Sequence, residues 1–100
     1  MRARIRADGP VVLVEGELGW SDHGALERSL KAAMAADAAE LVVDLSGTTF
    51  VLSSALALLV SAGNQALAAG KRVTFRVPAA LQWVARYLEQ TTRGFTIARV

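Results

Sequence analysis

Residues 41–70 read LVVDLSGTTFVLSSALALLVSAGNQALAAG, and this stretch predicts a strand, a loop and a helix in succession. Its first part, Leu41–Leu45, is a nearly continuous apolar run, which is typical of a parallel strand covered on both faces. A loop over Ser46–Thr49 follows. Apolar residues then recur at helical spacing from Ser53 to about Ala69, and Gly70 suits the left-handed conformation that ends a helix. A strand that passes into a helix in this way is the repeating unit of an α/β fold.

The segments on either side extend this unit into a whole domain. Upstream, two strands around a Gly-Pro turn predict a hairpin, and a helix follows it. Downstream, we expect a strand, a helix with Pro78 in its first turn, and a last strand. The order β-β-α-β-α-β-α-β predicts one α/β sandwich domain over residues 1–100, with helices packed on a mostly parallel sheet of about five strands. The predicted strands are Arg2–Ala7, Val11–Glu15, Leu41–Leu45, Arg72–Val77 and Phe95–Val100, and the flanking helices begin at Ser21 or Asp22 and at Ala79.

Several classes of enzyme and metalloprotein lack their characteristic residues in this sequence. Cysteine is absent and His23 is the only histidine, which leaves neither a thiolate nucleophile nor a set of zinc ligands. His23 lies beside a predicted helix start, where a lone exposed histidine is usually a surface residue. No paired carboxylates point into a predicted cleft, and no Gly-rich phosphate-binding loop follows a strand. We therefore expect no enzymatic activity, no metal and no cofactor.

Charge and hydropathy favour a cytoplasmic protein that does not insert into a membrane. The formal net charge is only +2, and the absence of cysteine fits a reducing compartment. Arg2, Arg4 and Arg6 would share one face of the first strand, which we interpret as a solvated face that protects a sheet edge. An acidic partner or nucleic acid is the alternative, but no binding motif accompanies these arginines, so we expect no nucleic acid. The longest apolar stretch, Ala55–Ala69, is interrupted by polar residues and Gly.

The pair Ser53-Ser54 stands where the buried strand passes into the second helix. Either hydroxyl could cap this helix by accepting a backbone N–H, which is worth about 1 kcal/mol. The same position also suits a phosphate, because free N–H groups and the positive end of the helix dipole meet there. Phosphorylation adds nearly two negative charges and would displace an apolar partner. The serine pair is therefore predicted either to cap the helix, to regulate docking, or to do both.

The second helix carries more apolar residues than one buried face needs. One stripe contains Leu56, Leu59, Val60 and Gly63, and another contains Ala55, Leu58 and Ala62. A surface helix needs one apolar stripe, so the second belongs either to the core or to a partner-binding patch. We predict that partners dock on the loop and the first turns of this helix, through Phe50, Leu52, Ser53, Ser54, Ala55 and Leu58.

Three motifs and the order of the elements together resemble one known family. The motifs are Gly16-Glu-Leu18, Val43-Asp-Leu-Ser46 and Phe50-Val-Leu-Ser-Ser-Ala-Leu56. Over essentially the whole chain they resemble a STAS domain, the domain of the bacterial anti-sigma-factor antagonists. In that family the loop commonly reads Asp-Ser-Ser-Gly-Leu, and a partner anti-sigma factor that is also a kinase phosphorylates its second serine. The resemblance implies Ser54 as the phosphoacceptor; the family's Asp and Gly are Leu52 and Ala55 here.

Another branch of the family is similar to the second helix of this chain. Residues 54–60, SALALLV, and residues 64–70, NQALAAG, resemble the small STAS subunit of the ABC transporters that maintain outer-membrane lipid asymmetry. That subunit binds the cytoplasmic ATPase of its transporter, and the residue that matches Ser53 contributes to the contact. This resemblance implies an ATPase as the partner and requires no phosphate transfer.

The sequence therefore predicts a regulatory protein-interaction domain, similar to the anti-sigma-factor antagonists, with Ser54 as its control point. The alternative is a non-phosphorylated STAS subunit of an ABC-type phospholipid transport complex, bound to its ATPase. A domain that only forms a homodimer is a third interpretation that the sequence leaves open.

Overall fold

The computed structural model describes residues 3–100, so the predicted position of Arg2 on the first strand lies outside the described residues. Two short 3-10 turns, Trp20–Asp22 and Ala79–Leu81, precede the first and third helices. The helices are α1 (His23–Ala35), α2 (Ser53–Ala68) and α3 (Gln82–Thr91), and the strands are β1 (Arg4–Asp8), β2 (Val11–Leu18), β3 (Glu40–Val51), β4 (Arg72–Val77) and β5 (Phe95–Arg99). The predicted α/β class and the order of the elements are confirmed.

The five strands form one sheet in the order β1-β2-β3-β4-β5. The hairpin β1–β2 is antiparallel, and Gly9 in its turn adopts a φ of +56°. All other neighbouring strands are parallel, as the alternation of strands and helices predicts. After β2, each connection crosses to the next strand along the sheet, so the chain always advances towards the same edge. Because such crossovers are right-handed as a rule, they place every helix on the same side of the sheet.

The core lies between this helical layer and one face of the sheet. Leu41, Val43 and Leu45 are fully buried, whereas Val42 and Asp44 between them are half-buried. The prediction that this strand is covered on both faces is therefore wrong, since α1, α2 and α3 contribute their buried residues to a single core cluster. The opposite face, here called the open face, carries polar side chains, including the exposed Arg4 and Arg6.

Strands β2 and β3 both continue beyond their predicted ends. The sequence predicts that they stop at Glu15 and Leu45, but they remain paired as far as Leu18 and Val51, with two irregularities in register. Gly16, at a φ of +89°, lies at one irregularity. The buried Thr48 hydroxyl donates to the carbonyl oxygen of Val14 at 2.9 Å, which holds the two strands together there. The small and hydroxyl residues that the sequence predicts as a loop therefore lie in a bulged pair of parallel strands.

Helix α2 packs closely against the sheet through a glycine. A Cβ atom at Gly63 would lie 2.6 Å from the ring of Phe95, whose ring stacks edge-on against Phe75 at a centroid separation of 4.9 Å. The helix ends at Ala68, and Gly70 follows with a φ of +81°, which confirms the predicted stop. Among residues 3–100, no helix combines the length and the hydropathy needed to cross a bilayer.

Candidate functional site

The carboxyl ends of β2 and β3 bring the candidate residues to one edge of the sheet. Leu18 pairs with Val51, and the backbone N–H of Leu52 donates to the carbonyl oxygen of Leu18 at 2.9 Å. The chain leaves β2 into the 3-10 turn Trp20–Asp22 and leaves β3 directly into α2. The turn and the start of α2 are therefore neighbours, although about 30 residues separate them in sequence.

Neither serine caps helix α2, so that prediction is wrong. The N-cap position belongs to Leu52, which has the extended backbone expected there (φ −70°, ψ 145°), and no side chain makes a cap hydrogen bond. Ser53 and Ser54 are the first two helical residues, and both are exposed. The side chain that accepts the free N–H groups normally belongs to the N-cap residue, and an apolar residue occupies that position here. The serine hydroxyls are thus available for other contacts.

The hydroxyl of Ser54 is instead hydrogen-bonded to His23. Ser54 Oγ lies 3.0 Å from His23 Nε2, and His23 Nδ1 lies 2.9 Å from the carbonyl oxygen of Trp20. A carbonyl oxygen can only accept, so Nδ1 carries a proton. In the neutral imidazole Nε2 is then the acceptor, and Ser54 Oγ donates to it. His23 is half-buried and hydrogen-bonded to the serine, a contact that its position beside a predicted helix start does not indicate.

The 3-10 turn fixes the position of His23. The backbone N–H of Gly19 donates to Asp22 Oδ2 at 2.8 Å, and Asp22 is one of two buried polar residues in the described chain. Trp20 contacts the imidazole edge-on, with ring centroids 5.3 Å apart and planes at 77°. The indole is nevertheless 78% exposed. Sequence reasoning misses this group, here called the Ser54 site and comprising Trp20, His23 and Ser54, because the contact spans two distant segments.

The predicted docking residues divide into exposed and buried members. Phe50 is 48% exposed and Ser53 is exposed, while Leu52 and Leu58 are half-buried. Ala55 is fully buried and belongs to the core, so its side chain offers no surface to a partner. The second apolar stripe of α2 is therefore mainly core, and Leu58 is its one half-exposed member.

Leu58 lines a shallow groove of about 230 Å³ between α1 and α2. Met34 lies in the same groove, and its rim carries both an acidic and a basic side chain, Glu27 and Lys31. We call this feature the α1–α2 groove. It adjoins the helix that bears Ser54, so a partner that contacts the start of α2 can also reach Leu58.

Asp44 is not part of the Ser54 site. It lies on the open face, where it accepts hydrogen bonds from Ser46 Oγ at 2.6 Å and from the Ser46 backbone N–H at 2.9 Å, as expected for a carboxylate that serves local N–H groups. Partial burial is the largest influence and raises the pKa of Asp44. The Ser46 hydrogen bonds and the Arg76 guanidinium 3.6 Å away outweigh it and hold the pKa below its ordinary value.

Two further aromatic side chains lie outside the core. Trp83 and Tyr87 are four residues apart on α3 and are 47% and 46% exposed. In the described part of the chain, no cluster of three or more His, Asp or Glu side chains could hold a metal ion.

Comparison with known proteins agrees with this architecture. The family model described as "Mlab, STAS domain" matches residues 1–92, which is nearly the whole chain. STAS domains generally bind protein partners and generally act in regulation and interaction instead of catalysis. No curated protein matches the chain. With a five-stranded, mostly parallel sheet, three helices and this match, the chain belongs to the STAS domain family.

Proposed function

We propose that this chain is a regulatory STAS domain, similar to the anti-sigma-factor antagonists, that binds a cytoplasmic protein at the start of α2. Phosphorylation of Ser54 would release that partner. The observation that carries the proposal is the placement of Ser54: its hydroxyl is exposed at the first turn of a 16-residue helix whose N-terminus has no side-chain cap. Phe50 precedes this turn and Trp20 flanks it through His23, so exposed aromatic surface surrounds the serine.

At the N-terminus of α2, one phosphate is compatible with the fold of this domain but unfavourable for a bound apolar partner. The dipole of α2 and its uncapped N–H groups favour an anion, typically by about 0.3–1 kcal/mol at an exposed site. A phosphorylated Ser54 is therefore tolerated by the fold. The same phosphate carries nearly two negative charges into a surface with exposed Phe50 and Trp20, where an apolar partner would have to desolvate it.

The first test is co-purification of the tagged chain from its native host. Ser54→Asp places a negative charge at the first turn and should lose the partner, whereas Ser54→Ala should keep it. Thr96→Asp is the matched control, since Thr96 is exposed on β5, which β4 separates from β3 in the sheet, and should leave binding unchanged. Equal recovery of the partner by Ser54→Asp and Ser54→Ala would contradict control by charge at this residue.

A second candidate is a non-phosphorylated STAS subunit that binds the ATPase of an ABC-type lipid transporter. Two observations favour it: the matching family model carries the Mlab name, and Leu58 opens onto the α1–α2 groove one turn beyond Ser54. Docking of this kind depends on shape and apolar contact, with Ser53 at its edge.

The two candidates differ in the residue on which binding depends. If the ATPase is the partner, Leu58→Asp should abolish co-purification of the ATPase while Ser54→Asp has a small effect. Ala57→Asp is a suitable control, because Ala57 is exposed on the same helix and does not line the groove. Intact-mass measurement of the protein from its native host, with peptide mapping of any phosphorylated species, then separates them: a phosphorylated fraction at Ser54 supports the regulatory candidate.

A further inference from the structure

We propose that His23 is the general base that activates the Ser54 hydroxyl, so that this chain supplies the base for its own phosphorylation. The inference deepens the proposed function and rests on it, since it concerns phosphoryl transfer to the same hydroxyl. It is carried by the geometry of three groups: a serine hydroxyl, an imidazole 3.0 Å from it, and a carbonyl oxygen 2.9 Å from the other ring nitrogen.

These three groups stand in the order that nucleophile activation requires. The base must lie within hydrogen-bond reach of the nucleophile, and a third group must orient the base. The carbonyl oxygen of Trp20 fixes the proton on Nδ1, which leaves the lone pair of Nε2 directed at Ser54 Oγ. Ser53, also exposed, has no hydrogen bond to a histidine, and His23 is the only histidine in the sequence. The arrangement therefore selects one of two adjacent serines.

The surroundings hold this arrangement in place. The Asp22 carboxylate accepts the Gly19 N–H and stabilises the 3-10 turn that carries Trp20, and the indole packs edge-on against the imidazole. Oxygen atoms that gain negative charge at Ser54 lie beside the uncapped N-terminus of α2, whose backbone N–H groups and dipole stabilise such charge. Base, nucleophile and electrostatic support thus meet at one place.

The step balances as an ordinary phosphoryl transfer. Ser54 Oγ attacks the terminal phosphorus of a nucleoside triphosphate held by the partner kinase. The Oγ–P bond forms, the bond from phosphorus to the bridging oxygen breaks, and the nucleoside diphosphate leaves. The hydroxyl proton passes to His23 Nε2, and the resulting imidazolium then releases a proton to solvent. Phosphoserine and a neutral imidazole remain.

A reagent that needs no kinase tests the base directly. An organofluorophosphate reacts with an activated serine by forming an Oγ–P bond and releasing fluoride, while the proton goes to the base. We expect the intact chain to gain one adduct, mapped to Ser54 by peptide mass spectrometry, and Ser54→Ala to gain none. Ser46→Ala should react as fast as the original chain, because the exposed Ser46 hydroxyl donates to Asp44 and lies outside the Ser54 site.

The decisive variant is His23→Gln. The Gln side chain can still accept a hydrogen bond from Ser54 but cannot take its proton, so the rate of adduct formation should fall on the order of 10²-fold. In His23→Ala, added imidazole should restore part of the rate, which a purely structural role would not allow. An unlabelled original chain, an adduct at another residue, an unchanged rate in His23→Gln, or no rescue by imidazole would each overturn the proposal.

This test fails separately from the proposed function. If Ser54→Asp keeps its partner while adduct formation depends on His23, the serine is activated and the phosphoswitch is wrong. If Ser54→Asp loses its partner while His23→Gln reacts at the original rate, the switch stands and the role of His23 is wrong. Circular dichroism of each His23 variant confirms that the fold being compared is the same.

Discussion

Ser53 and Ser54 are adjacent and both exposed, yet only the hydroxyl of Ser54 is hydrogen-bonded to a histidine. The difference arises because consecutive residues of a helix point about 100° apart, so the two adjacent hydroxyls do not both face His23. The position of the serine pair at a helix start is evident from the sequence. Its partner is not, since neither spacing nor composition reports that two segments 31 residues apart will meet.

Asp44 makes a prediction of pH dependence at the residue scale. Its folded pKa lies below the ordinary value of 3.8, so the unfolded chain takes up this proton more readily than the folded chain. The ionised carboxylate therefore stabilises the fold above pH 3.8, and the stabilisation is lost as the pH falls through the lower folded-state pKa. Asp44→Asn should lower the free energy of unfolding at neutral pH, and its difference from the original chain should vanish at the acid end.

Glu40→Gln is the matched control for that measurement. Glu40 also pairs with an arginine across β3 and β4, but its distance to Arg72 is 3.9 Å and both side chains are well exposed. Exposed ion pairs of this kind contribute little to stability, so the variant should change the free energy of unfolding by no more than about 0.5 kcal/mol. Urea titrations over a series of pH values measure both variants; a constant deficit of Asp44→Asn at every pH would contradict the titration argument.

At the scale of elements, helices were easier to predict than the ends of strands. The apolar spacing and Gly70 locate α2 to within a residue or two, because helix periodicity and a positive-φ stop are local properties. The extensions of β2 and β3 are not local. Gly16 and Thr48 are residue types that are common in loops, and their pairing with each other keeps them in strands. That helices cover only one face of β3 is also a non-local property, because it depends on the handedness of all the crossovers in the sheet.

Gly63 gives a stability prediction for the contact of α2 with the sheet. Ala is favoured over Gly within a helix by about 1 kcal/mol, so propensity alone predicts that Gly63→Ala is stabilising. The new Cβ would instead lie 2.6 Å from the buried ring of Phe95, which Phe75 confines from the side. Overpacking typically costs about 1–3 kcal/mol, so we expect a net loss on the order of 1 kcal/mol.

Gly24→Ala provides the comparison for this prediction. Gly24 is an exposed glycine of α1, and its nearest neighbour is the flexible end of Arg28 at 3.3 Å. Without a rigid neighbour the propensity term should prevail, and the melting temperature should stay level or rise. The opposite changes in melting temperature expected for the two substitutions distinguish packing from helix propensity. A higher melting temperature for Gly63→Ala would mean that Phe95 moves freely.

On the scale of the whole molecule, the fold separates its two faces by chemistry. All three helices cover one side of the sheet, and the open face carries arginines and the Asp44–Arg76 pair. The Ser54 site lies at neither face but at the edge where β2 and β3 end and α1 and α2 begin. The sequence predicts this edge as the functional end of the domain from the serine pair, the second apolar stripe of α2 and the family resemblance. The sequence predicts Ser54 at this edge but not its neighbours His23 and Trp20, and Ala55, predicted to dock a partner, lies in the core.

The bond between Ser54 and His23 also ties two helices together, because each residue stands at the first turn of a different one. A protein that binds α1 and α2 together would set the distance between the first turns of these two helices. Spreading the helices removes the imidazole from the hydroxyl, and pressing them together keeps it there. If His23 activates Ser54 as proposed, the separation of the two helices would thus govern how readily Ser54 Oγ reacts.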